Sequence, residues 1–481
     1  MSCSHRLRLE LEMKYRPFFM LLTALLASLV QAESSNSEEP RAVILLIGDG
    51  LGPQQLTMAR NYLTGSAGQL LVDTAPVYAS IQIETEAADG TPLYVPDSAN
   101  TGTAMASGVV TNINHVGVRP DGTPVTSIIE AASRAGYRTG IITTAAVTDA
   151  TPATFLAHIS HDDCENPAVI LGGTVYGRHF PGCPEEATEN GGPGSTAEQI
   201  AKSPVDLLLG GGRVHFLPTI AGSNQRVRDA ASENGFLVVD RLGQLDALTP
   251  GQRALGLLAK ENLKVRMRGS GSRKAEPVTL TDPSNPNAPV ILPPPMSCEP
   301  NPEFGDTPTL RQMTATALRL LSAENPKGFF LMVESASIDK QSHQRNPCGA
   351  IGEVQQLEEA LAEALKFTES HPRTLILVTA DHSHGVQIVP EPSAYGGGAA
   401  EGVHSPGKIA RLKTPEGGLM RLNYGVNNYA VTEHTGANVA LFGNAEAKGL
   451  VTPYMRQREI HTVMMRYLSL APQPTSSNTH E

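Results

Sequence analysis

Acidic and imidazole side chains recur in short clusters along this chain, most of them directly after a run of apolar residues. Ala380-Asp381-His382-Ser383-His384 offers one carboxylate and two imidazoles, the oxygen and nitrogen ligands that zinc takes. In Glu334-Ser-Ala-Ser-Ile-Asp339-Lys340-Gln-Ser-His343, Glu334 falls at the end of the apolar run. Asp339 and His343 stand four apart, which sets both on one face of a helical turn, as paired metal ligands require. Gly48-Asp49-Gly50 holds a carboxylate between glycines that let another segment approach its backbone. Pro96-Asp97-Ser98 precedes small residues as far as Gly108, able to form a closely packed helix. A serine at such a helix start faces unpaired amides and the positive dipole end, which suits an alkoxide and an arriving phosphate. Singly, each cluster has a plainer reading: a turn Asp, an N-cap, a surface or hydrogen-bonded histidine. Four such sites at the strand ends of one sheet are not four coincidences.

The elements that must position these groups are short apolar runs ending in acidic or Gly-rich turns: Arg41 to Ile47, Thr139 to Thr143, Val205 to Leu209, Gly328 to Val333 and Thr374 to Thr379. Runs without alternation suit parallel strands covered on both sides. Helical patterns lie between them, at Thr126 to Ala135, Thr309 to Ser322 and Ile351 to Ser370. The expected fold is α/β, a doubly wound, mostly parallel sheet with helices on both faces, whose ligands gather at the carboxyl ends of the strands. Residues 266–308 and 391–430, rich in Pro, Ser, Asn or Gly, read as surface loops inserted in one catalytic domain spanning 33–470, and the tail 471–481 reads as disordered.

Lys14 and Arg16 followed by apolar residues from Phe18 to Val30 and by Val30-Gln31-Ala32 form a secretory signal over residues 1–32, with Met13 a second possible start. The run is shorter than a span needs, so no stable membrane span is expected after cleavage, and the mature protein is expected to be periplasmic or secreted. Four of the five cysteines, Cys164, Cys183, Cys298 and Cys348, remain after cleavage, and an even number in an exported chain suggests two disulfides. The net charge of -11 opposes nucleic-acid binding.

These residues resemble the alkaline phosphatases, most closely the bacterial periplasmic type. The motifs that carry the resemblance are Gly48-Asp49-Gly50, Asp97-Ser98-Ala99, Asp149-Ala-Thr151-Pro152, Val333 to His343, Thr379 to His384 and Glu433-His434-Thr-Gly436. The resemblance implies that Asp339, His343 and His434 hold one zinc ion, and that Asp49, Asp381 and His382 hold a second. Asp49, Thr151 and Glu334 would hold a magnesium ion. Asp149 and Lys340 would act through water near that ion and the phosphate, while His384 would bond a metal-holding carboxylate. It implies hydrolysis of small phosphate monoesters through a phosphoserine on Ser98, and a homodimer. It includes both cysteine pairs, expected as Cys164 with Cys183 and Cys298 with Cys348. The family keeps an arginine shortly after the Thr151-Pro152 motif to grip two phosphate oxygens, and here Asp162 stands in its place. Arg178, in the loop a Cys164–Cys183 bridge would close, is a candidate replacement, with a solvated surface arginine as the alternative. The departure leaves a phosphodiesterase or relaxed phosphoric-ester hydrolase as the second reading.

Overall fold

In the computed structural model, the described residues are 40–175, 177–285, 290–391 and 407–470; the signal and tail read from the sequence lie outside them. Ten strands form the main sheet: β1 Arg41–Gly48, β2 Val77–Gln82, β3 Arg138–Ala146, β4 Leu207–Gly211, β5 Phe236–Val239, β6 Arg253–Leu257, β7 Gly328–Ser335, β8 Thr374–Ala380, β9 Val439–Gly443 and β10 Tyr454–Arg456. Their order is β10-β2-β9-β8-β1-β7-β3-β4-β6-β5. Every pairing is parallel except the two made by β9.

The expected strands form where the sequence places them because their apolar runs are buried on both faces. Val43 to Ile47 of β1 have no exposed surface, and β7 and β8 are buried along their whole length. Two helices are used below. α1, Ser98–Ser107, consists almost wholly of small side chains and is buried nearly throughout. A Cβ on Gly102 would lie 2.6 Å from Thr154 Oγ1, so the small residue lets α1 press against the segment Ala150–Thr154. α2, Ser337–His343, follows β7 directly, and a longer helix, Pro347–Thr368, then packs on β1, β7 and β8.

One expectation needs correction. Segment 391–430 is not simply a loop, because Lys408–Lys413 and Leu419–Tyr424 pair antiparallel and Gln387–Val389 joins them. Leu419–Tyr424 alternates buried with more exposed residues, the period that a half-buried strand requires, and Lys408–Lys413 buries Ile409, Ala410 and Leu412. Segment 266–308 holds only short pairings, Met267–Gly269 with Cys298–Pro300 and Thr279–Leu280 with Val290–Ile291, among its described residues. Disulfides join Cys164 to Cys183 and Cys298 to Cys348.

Candidate active site

Four adjacent strands, β8, β1, β7 and β3, deliver the acidic groups. Their parallel register aligns Gly48 with Ala380 and Ile47 with Glu334, so Asp49, Asp381 and Glu334 emerge side by side at the carboxyl edge. The Gly50 amide donates to Asp381 Oδ1 at 2.9 Å, and the Thr143 hydroxyl of β3 donates to Glu334 Oε2 at 2.5 Å. Gly50 sits at φ +67, and a Cβ there would fall 2.9 Å from Asp339 Cα. Glycine is needed on both counts. Asp49, Asp381 and His382 bring a ligand atom each into one buried group able to hold a metal ion.

A second such group contains Asp339, His343, His384 and His434. Asp339 and His343 share a face of α2, as their spacing predicts, with 3.4 Å between His343 Nε2 and Asp339 Oδ2. His384 and His434 are register partners in a two-residue antiparallel pairing, and each ring reaches Asp339 Oδ1 at 3.2 Å. The other ring nitrogens are held from behind: His343 Nδ1 by the Thr432 carbonyl at 2.5 Å and His434 Nδ1 by the Pro96 carbonyl at 2.9 Å. Such partners fix the tautomer and aim the free nitrogen at the cluster.

Ser98 opens α1. Asp97 caps the helix by accepting from the Asn100 amide at 2.8 Å, and its other oxygen accepts from the Asn114 amide. Ser98 Oγ lies 3.1 Å from His382 Nε2 and 3.5 Å from Asp49 Oδ1, between the first group and the positive helix end. Behind it, Asp149 caps the short helix Ala150–Ala153, which contains Thr151, and forms a 2.6 Å ion pair with Lys340 Nζ.

Charge is out of balance here. Burial, with the neighbouring carboxylates, pushes Asp49 well above the carboxylate range, Asp381 up to about 6 and Glu334 up to about 8. Burial would also raise Asp339, but the His343 charge and the close approach of His384 and His434 outweigh it and hold the group well below its ordinary value. His382 is pushed well down by burial and His434, and His384 down to about 4 by burial. Burial disfavours the charge on His434 as well, but the neighbouring Asp339 outweighs it and raises that imidazole to about 9. The neutral His382 and His384 imidazoles beside buried carboxylates form part of a donor set for cations. Thr151 Oγ1 and Asp381 Oδ2 are also buried without a hydrogen-bond partner. Divalent ions fit these residues.

The structure brings Ser98, Asp49, Asp381, His382, Asp339, His343, His384 and His434 together, and joins Asp149 to Lys340. It gives Arg178 no such place. Arg178 is exposed on the strand Arg178–Phe180 of a hairpin, with no hydrogen bond or ion pair to a site residue among the described ones. Asp162 is held by His161, whose Nδ1 is 3.1 Å away, and its amide donates to the Asn114 carbonyl. Sequence reasoning missed the supporting groups Asn114, Thr143, Thr432 and Glu165. Glu165 lies 3.1 Å from His215 Nε2 and accepts from Thr148, and burial with Asp149 nearby raises it to about 8. These residues carry no local pattern, since each is defined by a partner distant in sequence.

A family model described as alkaline phosphatase matches residues 40–405. The chain is 36% identical over 449 residues to alkaline phosphatase H of Pseudomonas aeruginosa, covering 91% of this chain and 87% of that one. It is 40% identical over 434 residues to streptomycin-6-phosphate phosphatase of Streptomyces griseus, covering 87% and 88%. The fold matches the alkaline phosphatase of the Antarctic bacterium TAB5 with a TM-score of 0.63 over 90% of this chain and 99% of that one, at 21% identity. With metal-capable clusters at the carboxyl edge of the sheet and Ser98 Oγ 3.1 Å from His382 of one of them, the chain belongs to the alkaline phosphatase family and is a phosphoric monoester hydrolase.

Proposed function

We propose that Ser98 is the nucleophile and that the two clusters and Glu334 hold two zinc ions and one magnesium ion. The carrying observation is the 3.1 Å approach of Ser98 Oγ to His382 Nε2 at the start of α1. Asp339, His343 and His434 would hold one zinc, Asp49, Asp381 and His382 the other, and Asp49, Thr151 and Glu334 the magnesium. Bound there, the cations would favour the Ser98 alkoxide and a hydroxide nucleophile and offset charge on the leaving oxygen. Asp49 and His382 would hold their cation beside Ser98 Oγ, where it would favour loss of the hydroxyl proton. The first amides of α1 receive the phosphoryl oxygens. Lys340, steered by Asp149, adds a fixed positive charge on the same side. Ser98 Oγ bonds to phosphorus as the ester bond breaks, and water then releases phosphate and restores the serine.

The disulfides support an oxidising location, periplasmic or secreted, and a homodimer follows from family resemblance. Asp162 favours a second reading, a phosphodiesterase or relaxed esterase, because a carboxylate replaces the guanidinium that would meet a second phosphate charge. Parallel assays of an aryl phosphate monoester and diester on zinc- and magnesium-loaded protein decide between them. Faster diester turnover would establish the second reading. Trapping of a phosphoenzyme on a Ser98→Ala variant would refute the nucleophile.

A further inference from the structure

The histidine cluster depends on a loop with little structure of its own. Residues 425–433 form no helix or strand, and Asn428 to Val431 are exposed. Thr432 nevertheless meets α2 twice: its amide donates to the His343 carbonyl at 3.0 Å, and its carbonyl holds His343 Nδ1 at 2.5 Å. Two residues later, His434 brings its Nε2 to 3.0 Å from His343 Nε2. The two rings can share an ion only if the loop is held in this position.

Arg345 holds it. The side chain, 2% exposed, is among the largest that are wholly buried. It makes no ion pair among the described residues; instead Nη1 donates to the Ala430 carbonyl at 2.9 Å, and Nη2 to Asn427 Oδ1 at 3.0 Å and the Asn427 carbonyl at 3.3 Å. Asn427 Oδ1 also accepts from the Tyr429 amide at 3.2 Å. A buried guanidinium is costly unless its donors are met, so the cation and the loop oxygens fix one another.

The backbone of Arg345 is anchored as well. Its amide donates to the Ser342 carbonyl at 2.8 Å, just past the end of α2, and its carbonyl accepts from the Ala275 amide at 2.9 Å. Its φ is 53, in the left-handed region where a helix usually ends on glycine. A strained residue whose side chain is spent on one loop points to a use for that side chain. Only Gln344 separates Arg345 from His343, so the same turn of chain carries the imidazole and the clamp.

We propose that Arg345 is a positioning residue for the histidine cluster: through Asn427 and Ala430, and then Thr432, it sets His343 and His434 to converge on one ion. This rests on the reading that Asp339, His343 and His434 hold zinc. Asp49, Asp381 and His382 directly follow β1 and β8 and are placed by those strands. Loss of the clamp therefore weakens one zinc site far more than the other.

The test titrates zinc into chelated parent, Arg345→Met and Arg345→Lys, with His434→Ala marking which of the two zinc sites belongs to the cluster. In Arg345→Met that site should weaken about tenfold to a hundredfold, the scale for losing a group behind a metal ligand, while the other stays near the parent. Arg345→Lys keeps the charge without the fork of donors and should fall between them. Unchanged zinc binding in Arg345→Met, or equal weakening of both sites, would overturn the proposal. If Arg345→Met does not fold, Arg345→Lys decides by the same measurement: selective weakening supports the clamp and parent-like binding ends it. If His434→Ala binds as much zinc as the parent, the ligand assignment has failed, and hydrogen exchange at the Thr432 amide of chelated protein judges the clamp alone. Faster exchange in the Arg345 variants then supports it, and equal exchange ends it.

Discussion

Removing the metals should cost the protein more stability as pH rises. Burial and mutual repulsion lift Asp381 from 3.8 to about 6 and Glu334 from 4.5 to about 8 in the metal-free fold. A carboxyl whose folded pKa is raised binds its proton more tightly when folded. Stability is therefore complete below the unfolded value and is lost as pH climbs through the folded value. At about 1.4 kcal/mol per tenfold, the two groups would contribute about 8 kcal/mol if independent. The Asp381 charge is itself one of the causes that raise Glu334, so the two are not independent and about 5 kcal/mol between pH 4 and 8 is the sounder figure. With bound cations the carboxylates are already ionised against positive charge, and this loss should vanish. Glu353 and Glu165, lifted by burial to about 7 and about 8, titrate in both forms, so the difference between the two curves isolates the site. The assay is thermal unfolding of chelated and reconstituted protein from pH 4 to 8. The gap should widen with pH by roughly 5 to 10 °C, given the small shift per kcal/mol in a long chain. Parallel curves, or a gap that narrows as pH rises, would refute the reasoning.

Ser98→Ala should abolish phosphoserine while retaining the parent's metal content by elemental analysis, because the metal donors are other residues. Lys340→Ala should raise the inhibition constant for inorganic phosphate about tenfold or more, the value of one charge-assisted hydrogen bond, as read from steady-state inhibition. Arg178→Ala should match the parent for phosphate inhibition and monoester turnover, since the side chain is exposed and away from the cluster contacts; a loss confined to monoesters would restore its assignment to substrate. Reducing Cys298–Cys348 in the native protein should lower stability by up to about 4 kcal/mol, the loop-closure value for a separation of 50 residues, measured by denaturant unfolding.

The sequence made the strand ends legible because a two-sided buried strand is an unbroken apolar run, and the reactive groups follow such runs at once. Asp49, Glu334, Asp381 and His382 could thus be found without knowing strand order. The α2 pair was legible for the same kind of reason, a local spacing. What joins His434 to that pair was not. It depends on a two-residue antiparallel pairing with His384 and on the carbonyls of Pro96 and Thr432, contacts that irregular segments make across long separations. The family motif supplied that link where periodicity had nothing to offer. Strands β2, β5, β9 and β10 and the sheet at 408–424 were missed because partly exposed strands have shorter apolar runs that resemble loops rich in Gly and polar residues, and β6, though buried, was missed because its run is short and broken by Gly256.

Asp162 shows how the two kinds of reading depend on one another. The motif marks its position as one where a guanidinium is expected, and elementary electrostatics says that a free carboxylate there would repel a phosphate dianion. Its surroundings moderate that repulsion. His161 lies 3.1 Å from its carboxylate, Asp162 and Asp163 both favour the imidazolium, and the Asn114 carbonyl holds the Asp162 amide. Asn114 in turn donates its amide to Asp97, the residue that caps α1 and precedes Ser98. The carboxylate is thus tied into the support of the nucleophile, with its charge partly met by a neighbouring imidazole. The family's guanidinium is replaced by a group that cannot attract the substrate but is kept from strongly opposing it. On the proposed reading, attraction comes from Lys340, the helix end and the ions that the buried carboxylates would hold.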